Sequence, residues 1–285
     1  MNKQLSVKII LSVIILLTVS ISHSSWFDTL AKEYTELGIK RTLITYAVSR
    51  SLNGVISVAQ GTEVALSPAG VGLTFAPGQI LDPVNDLIER FSWVVMVSGS
   101  SLGIQRLFLE ITSSVAIVWI LSVLSIIYLI LLWMTLQNGK DETNYRKGVL
   151  KLLVLFVFIR FSVPLIALIN EGVFVSYLQP QYEGAQQKLE NASTQIKLIN
   201  DTSRKAVKQN KDDGLFGKVE QWLDETRQSL DVETQMNSLK QAAADVSQQV
   251  INMIVVFVVQ TIIFPLLFLW LFLKSAKLII NRISI

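Results

Sequence analysis

The 285-residue chain has no cysteine and one histidine, His23. A disulfide framework and a thiolate metal site are therefore excluded, and imidazole chemistry is reduced to a single ring. Charge is scarce too. Asp, Glu, Lys and Arg make up 16% of the residues, where a soluble domain carries about 25%. No phosphate-cradling glycine loop, dinucleotide fingerprint or nucleophile paired with a base is present. The sequence thus reads as a non-enzyme, with no catalytic residues, no cofactor and no metal. Its polar stretches mix charges of both signs, which describes a solvated face and argues against a nucleic-acid surface.

What the chain has in quantity is apolar residues, at 51% of the total. They gather in runs that lead us to expect an all-α integral membrane protein with three or four transmembrane helices, in contact with membrane lipid. The clearest run is residues 112–136, 25 residues without charge, proline or glycine. At 1.5 Å per residue it exceeds a hydrocarbon core of about 30 Å. Residues 149–169 and 250–273 form two more spans, and residues 1–22 hold the first apolar run. That first run fits two descriptions, an uncleaved signal anchor (four spans) or a cleaved secretory signal peptide (three).

Charge sets the orientation. The short pieces 1–8, 137–148 and 274–285 carry eight basic residues against two acidic ones. The long segments that alternate with the spans are slightly acidic. The positive-inside rule then places residues 137–148 and 274–285 in the cytoplasm and exports residues 23–111 and 170–249. The expected location is a bacterial inner membrane, N-in if uncleaved and C-in, with the exported segments in the periplasm.

In the first exported segment, Leu30, Tyr34, Leu37, Ile44, Ala47 and Leu52 recur near helical period and predict an amphipathic helix with a break near Gly38. Residues 62–75 then predict a small β-hairpin around the turn Ser67-Pro68-Ala69-Gly70. Asp82-Pro83 reads as an N-cap followed by proline at the first helical position. Asp82, Asp86 and Glu89 share a face, but acids in a first turn complement the helix dipole without needing a metal. Residues 91–109 are interrupted by Gly99, Gly103, Gln105 and Arg106. They predict a helix that re-forms after Ser98–Ser101 and runs directly into the span at Thr112, with Gly99 and Gly103 permitting close helix contact.

The second exported segment carries two seams of heptad spacing: Leu189, Ala192, Ile196, Ile199, Ser203 and Ala206, then Met236, Leu239, Ala243, Val246, Val250, Met253 and Phe257. A turn at residues 211–214 lies between them. We expect a long antiparallel, coiled-coil-like hairpin whose second arm enters the last span. Small residues on the seam leave a thin core, so the hairpin calls for support from a homo-oligomer or from a protein partner.

Arg160 stands in the middle of the third run, where an arginine costs at least about 2.5 kcal/mol on insertion scales unless it faces protein or water. Pro164 and Pro265 free the carbonyls of Arg160 and Thr261. Counting inward from Asn170 and from Val250 puts Arg160 and Gln260 at equal depth. The expected intramembrane polar centre is therefore Arg160, Gln260 and Thr261, with Arg160 donating to Gln260 and to the Thr261 carbonyl. Two functions fit: an oligomeric membrane scaffold or accessory protein that presents its exported hairpins to partners, or a homo-oligomeric channel or transport subunit with Arg160 and Gln260 at its polar centre.

Overall fold

The structure, a computed structural model, describes residues 3–61, 64–66, 73–75, 77–134, 140–209 and 218–284. Apart from one pair of short strands, these residues are helical. In chain order they form α1 (Lys3–His23), α2 (Ser25–Gln60), β1 (Val64–Leu66), β2 (Leu73–Phe75), a 3-10 turn (Pro77–Leu81), α3 (Asp82–Thr112), α4 (Val115–Met134) and α5 (Lys140–Val173). A π-helical turn (Phe174–Leu178) leads into α6 (Gln179–Gln209), and α7 (Lys218–Val258) passes through a second one (Val259–Ile263) into α8 (Phe264–Ser284). Each π turn holds one residue more than an α-helical turn, so it shifts the phase of the buried stripe. Pro265 follows the second π turn inside this continuous helix and supplies no N–H to the preceding turn.

Among the described residues, five helical stretches are long and apolar enough to cross a membrane: Leu5–His23, Gln79–Thr112, Val115–Met134, Tyr145–Leu198 and Met236–Asn281. The second adds to the three or four that the sequence led us to expect. Its apolar residues outweigh the glycines and Arg106 that had set it aside. Large apolar side chains face outward along α1 (Ile10, Val13, Leu17), α4 (Val115, Ile126, Met134) and α8 (Leu266, Trp270, Leu273). Continuous apolar faces of this kind belong against hydrocarbon or another apolar surface.

The chain divides into two compact units. The first consists of Met1–Lys40, Gly99–Ser176 and Val259–Ile285. Its organiser is α5. Ile15 of α1 and Tyr128 and Leu132 of α4 pack around Leu153. Further along α5, Ala31 of α2 and Leu109 of α3 pack around Ala167. The start of α2 thus follows α1 along α5 in the same direction, across a joint at Ser24. The end of α3 and then α4 follow one another in the opposite direction, joined through Ser113 and Ser114. Both serines still reach back into α3, Ser113 N to Leu109 O at 3.0 Å and Ser114 N to Ile111 O at 3.1 Å. Helix α8 also lies against α5, with the Phe158 and Phe272 rings 6.3 Å apart.

The second unit consists of Arg41–Ser98 and Tyr177–Val258. Here α2 and α3 are tied by Ser49 to Ser92 at 3.0 Å, Asn53 to Asn85 at 2.9 Å and Gln60 Nε2 to Asp82 Oδ1 at 2.6 Å. Helix α6 packs on α7. The seam residues Leu189, Ala192, Ile196, Leu239, Ala243, Val246, Val250, Met253 and Phe257 are buried. The turn at 211–214 and the seam positions Ile199, Ser203 and Ala206 lie outside the residues whose side chains are described. Strands β1 and β2 pair antiparallel, with Val64 opposite Phe75 and Leu66 opposite Leu73; their connecting turn also lies outside the described residues.

Three expectations need correction. Helix α2 runs unbroken through Gly38. Its buried stripe is Ala31, Thr35, Thr42, Thr45, Ser49, Leu52, Ile56 and Ala59, while Leu37 and Ile44 are exposed. The stripe was hidden because small and hydroxylated residues fill it. They are accommodated because their hydroxyls find acceptors: Thr35 Oγ1 donates to the Ala31 carbonyl at 2.8 Å, Ser49 Oγ to the Tyr46 carbonyl at 2.8 Å and Thr45 Oγ1 to the Tyr182 hydroxyl of α6 at 3.2 Å. Helix α3 does not re-form after Ser101 and run on into the span; it continues through Ser98–Ser101 and stops at Thr112. Close contact occurs at Gly38, where an added Cβ would lie 3.2 Å from Leu102 Cδ1, whereas Gly103 faces open space.

The stripe on α2 can be tested directly. Leu52→Ala, at a buried site, is expected to cost about 2–5 kcal/mol. Leu43→Ala, at a position 64% exposed, should stay within about 0.5 kcal/mol. Thermal unfolding of the two variants reads the difference, and equal losses would contradict the stripe.

Candidate functional site

Arg160 is fully buried, and its guanidinium is consumed by the α1–α2 joint. Nη1 donates to Asp28 Oδ1 at 2.7 Å and Nη2 to Asp28 Oδ2 at 2.5 Å, a two-pronged ion pair. Nε donates to Ser22 Oγ at 3.2 Å and Nη2 to the Ser22 carbonyl at 3.0 Å. The local sequence explains why charge collects here. Ser22 is in the last turn of α1, whose final carbonyls lack helical partners and carry partial negative charge. Asp28 is in the first turn of α2, where an acid meets the positive end of the dipole. A guanidinium between the two completes both helix ends. The Phe161 ring lies 5.4 Å from Arg160 Cζ and 6.0 Å from the Phe27 ring, closing the cluster with apolar surface.

A second polar contact ties α1 to α4. His23 Nε2 and Ser122 Oγ are 2.9 Å apart, and Ser122 Oγ donates to the Val118 carbonyl at 2.8 Å. With the serine proton placed there, the imidazole Nε2–H is the donor. The ring meets Trp119 edge-on at 6.2 Å.

Gln260 and Thr261 are buried, as Arg160 is, but they are not its partners. Gln260 lines a water-sized cavity with Asn170 and Glu171 of α5, Thr35 of α2 and Gln105 of α3. Asn170 stands ten residues beyond Arg160, about 15 Å along a helix. The equal-depth arithmetic failed because it started both apolar runs at one surface, whereas the chain from Gln260 through α8 is displaced along α5, with Gln260 beside Asn170 and Phe272 beside Phe158. The Thr261 carbonyl accepts instead from Ser101 Oγ at 2.9 Å. Within the cavity wall, Asn170 Oδ1 is buried with no hydrogen-bond partner.

Sequence reasoning missed Asp28 and Ser22. The available signal was an acid a few residues past an apolar run, at the start of a helical pattern. No group of three or more His, Cys, Asp or Glu that could hold a metal occurs among the described residues. Asp82 instead opens α3 and accepts from Gln60. Comparison with known protein families, characterised proteins and solved structures found no match to this chain.

Proposed function

We propose that the chain is an oligomeric scaffold of the bacterial inner membrane, non-enzymatic, that holds its α6–α7 hairpin and β1–β2 pair outside the cytoplasm for partner proteins. In this reading α1, α4, the first part of α5 and α8 cross the bilayer, with both chain ends inside. Helix α1 is a retained anchor. The end of α3 and α4 follow one another in the same direction along α5. Two such helices with a short joint do not both span one bilayer, which supports four crossings with α3 outside. The basic flanks at residues 137–148 and 274–285 support the orientation.

The observation that carries the scaffold reading is the engagement of Arg160. All three guanidinium nitrogens bind Asp28 or Ser22, so the costliest residue of the apolar runs fastens helices together. The alternative of a homo-oligomeric channel or transport subunit needed Arg160 beside Gln260 on a path, and it loses that support.

The absence of native cysteine makes topology accessible. Single cysteines at the exposed Lys197 and Tyr145 are to be labelled with a membrane-impermeant maleimide in intact and in permeabilised cells. Lys197→Cys should label in intact spheroplasts and Tyr145→Cys only after permeabilisation. The reverse pattern refutes the orientation. A strictly monomeric particle in native membrane extracts refutes the oligomer.

A further inference from the structure

Helix α8 (Phe264–Ser284) is 21 residues long, about 31 Å at 1.5 Å per residue, which matches the thickness of a hydrocarbon core. Lys274 stands at its midpoint. The packing places it at the same depth independently. The Phe272 ring meets Phe158 of α5, so Lys274, two residues on, is level with α5 between Leu153 and Arg160. Leu153 packs with Ile15 and Tyr128, and Arg160 bonds Ser22; the matching heights on α1 and α4 carry no charge. Unlike Arg160, Lys274 is exposed. It shares one helical face with the exposed Leu267, Trp270, Leu271 and Leu278, at spacings i, i+3, i+4, i+7 and i+11. Its Nζ lies 4.8 Å from the centre of the Trp270 ring, one turn toward the exported end of α8 in the C-in reading. The ammonium therefore does not snorkel toward the cytoplasm. Among the described residues the ion pairs are Arg106 with Glu36 and Glu110 and Arg160 with Asp28, and no carboxylate pairs with Lys274.

We propose that this stripe on α8 seats a membrane-spanning helix of a second protein, one that carries an Asp or Glu near its middle to pair with Lys274. An unpaired charge at the bilayer centre is costly, and a carboxylate at the same depth offsets that cost. Other sources of negative charge do not reach this height. Lipid phosphates lie about 15 Å away, half the thickness of the core. A second copy, related by an axis normal to the membrane, presents equal heights to Lys274, and residues 5–23, 115–134, 149–169 and 264–284 contain no Asp or Glu. The partner is therefore an unlike chain. The Trp270 ring holds the ammonium on the outer face, and the four apolar side chains of the stripe supply the packing surface on which helix association in lipid depends. The inference rests on the reading that α8 crosses the bilayer, and it adds a partner within the membrane to those proposed for the exported hairpins.

The test uses full-length protein reconstituted in phosphatidylcholine vesicles with fluorescent polyleucine helices that carry a central Asp, Lys or Leu, and reads binding by energy transfer. The Asp helix should bind about tenfold more tightly than the Leu helix, the scale of one interhelical polar contact. Lys274→Met should abolish the difference, Lys274→Arg should keep it, and Lys274→Asp should shift the preference to the Lys helix. Equal binding of the Asp and Leu helices by the native chain overturns the proposal, as does a preference that Lys274→Met retains. The comparison on the native chain keeps the test decisive if a variant fails to fold. Vesicles containing phosphatidylglycerol provide the lipid arm: if they abolish the Asp preference, Lys274 belongs to a headgroup and the proposal also fails. Depth is read separately. Ser275→Cys should resist a membrane-impermeant maleimide even in permeabilised cells, where Tyr145→Cys labels. Labelling of Ser275→Cys removes the crossing on which the inference rests, whereas protection there with no Asp preference overturns the partner alone.

Discussion

Asp28→Ala is expected to destabilise the protein by about 3–5 kcal/mol, the cost of leaving a buried charge without its partner. Arg160 has no accessible surface, while the Asp28 side chain keeps 13%. The two single variants should therefore be unequal. Arg160→Met leaves a carboxylate that water reaches in part, so its loss should be the smaller. Combining Arg160→Met with Asp28→Leu removes both charges and should recover much of the Asp28→Ala loss, because burying an apolar pair costs less than stranding an ion. A double-mutant cycle on purified protein, followed by thermal or detergent-induced unfolding, measures the coupling. Two results would sink this account: a loss below about 0.5 kcal/mol for Asp28→Ala, which is the range of ordinary surface changes, or stronger coupling of Arg160 to Gln260 than to Asp28.

The second large effect concerns α1. Protein made without residues 1–23, exported by an unrelated cleavable leader, is expected to fail to accumulate as a folded species. Deleting α1 takes Ile15 out of its contact with Tyr128, Leu132 and Leu153, and burial of one such side chain contributes about 1.5–3 kcal/mol. It also strips Arg160 of Ser22 Oγ and the Ser22 carbonyl. A typical domain has only about 5–15 kcal/mol in hand, so losses at both sites together approach the whole margin. N-terminal sequencing of the natural protein gives a parallel check, with α1 still attached as the expected result. A truncated protein with unchanged Tm and yield would show that α1 is dispensable.

These expectations show where the sequence was readable. The apolar runs, the Asp82 start of α3 and the buried residues of α6 and α7 were legible because each depends on residues close in sequence. The stripe on α2 was not. Thr35, Thr42, Thr45 and Ser49 are buried, yet a search for apolar periodicity passes over them, since hydroxyls become compatible with burial only through acceptors such as the Ala31 and Tyr46 carbonyls and the Tyr182 hydroxyl. The polar centre failed for a different reason. Pro265 withholds an N–H from the Thr261 carbonyl, but which donor reaches that carbonyl depends on the slide of α8 along α5. Apolar side chains tolerate many such slides, so composition does not encode it. The Arg160 to Asp28 pair is separated by 132 residues, and only the assembled bundle brings those charges together.

The joint at Ser24 has a mechanical consequence. Helices α1 and α2 meet there end to end, and a bare junction of two helices would act as a hinge. Helix α5 runs past it without interruption and clamps both sides, Ser22 before the joint and Asp28 after it, with one guanidinium. It therefore works as a splint: rocking α1 against α2 requires breaking a charge-assisted fork and two further hydrogen bonds at once. A pull applied to α2 would thus be passed through the Asp28–Arg160 fork into α5 before α1 moved, which makes the joint a stiff coupling.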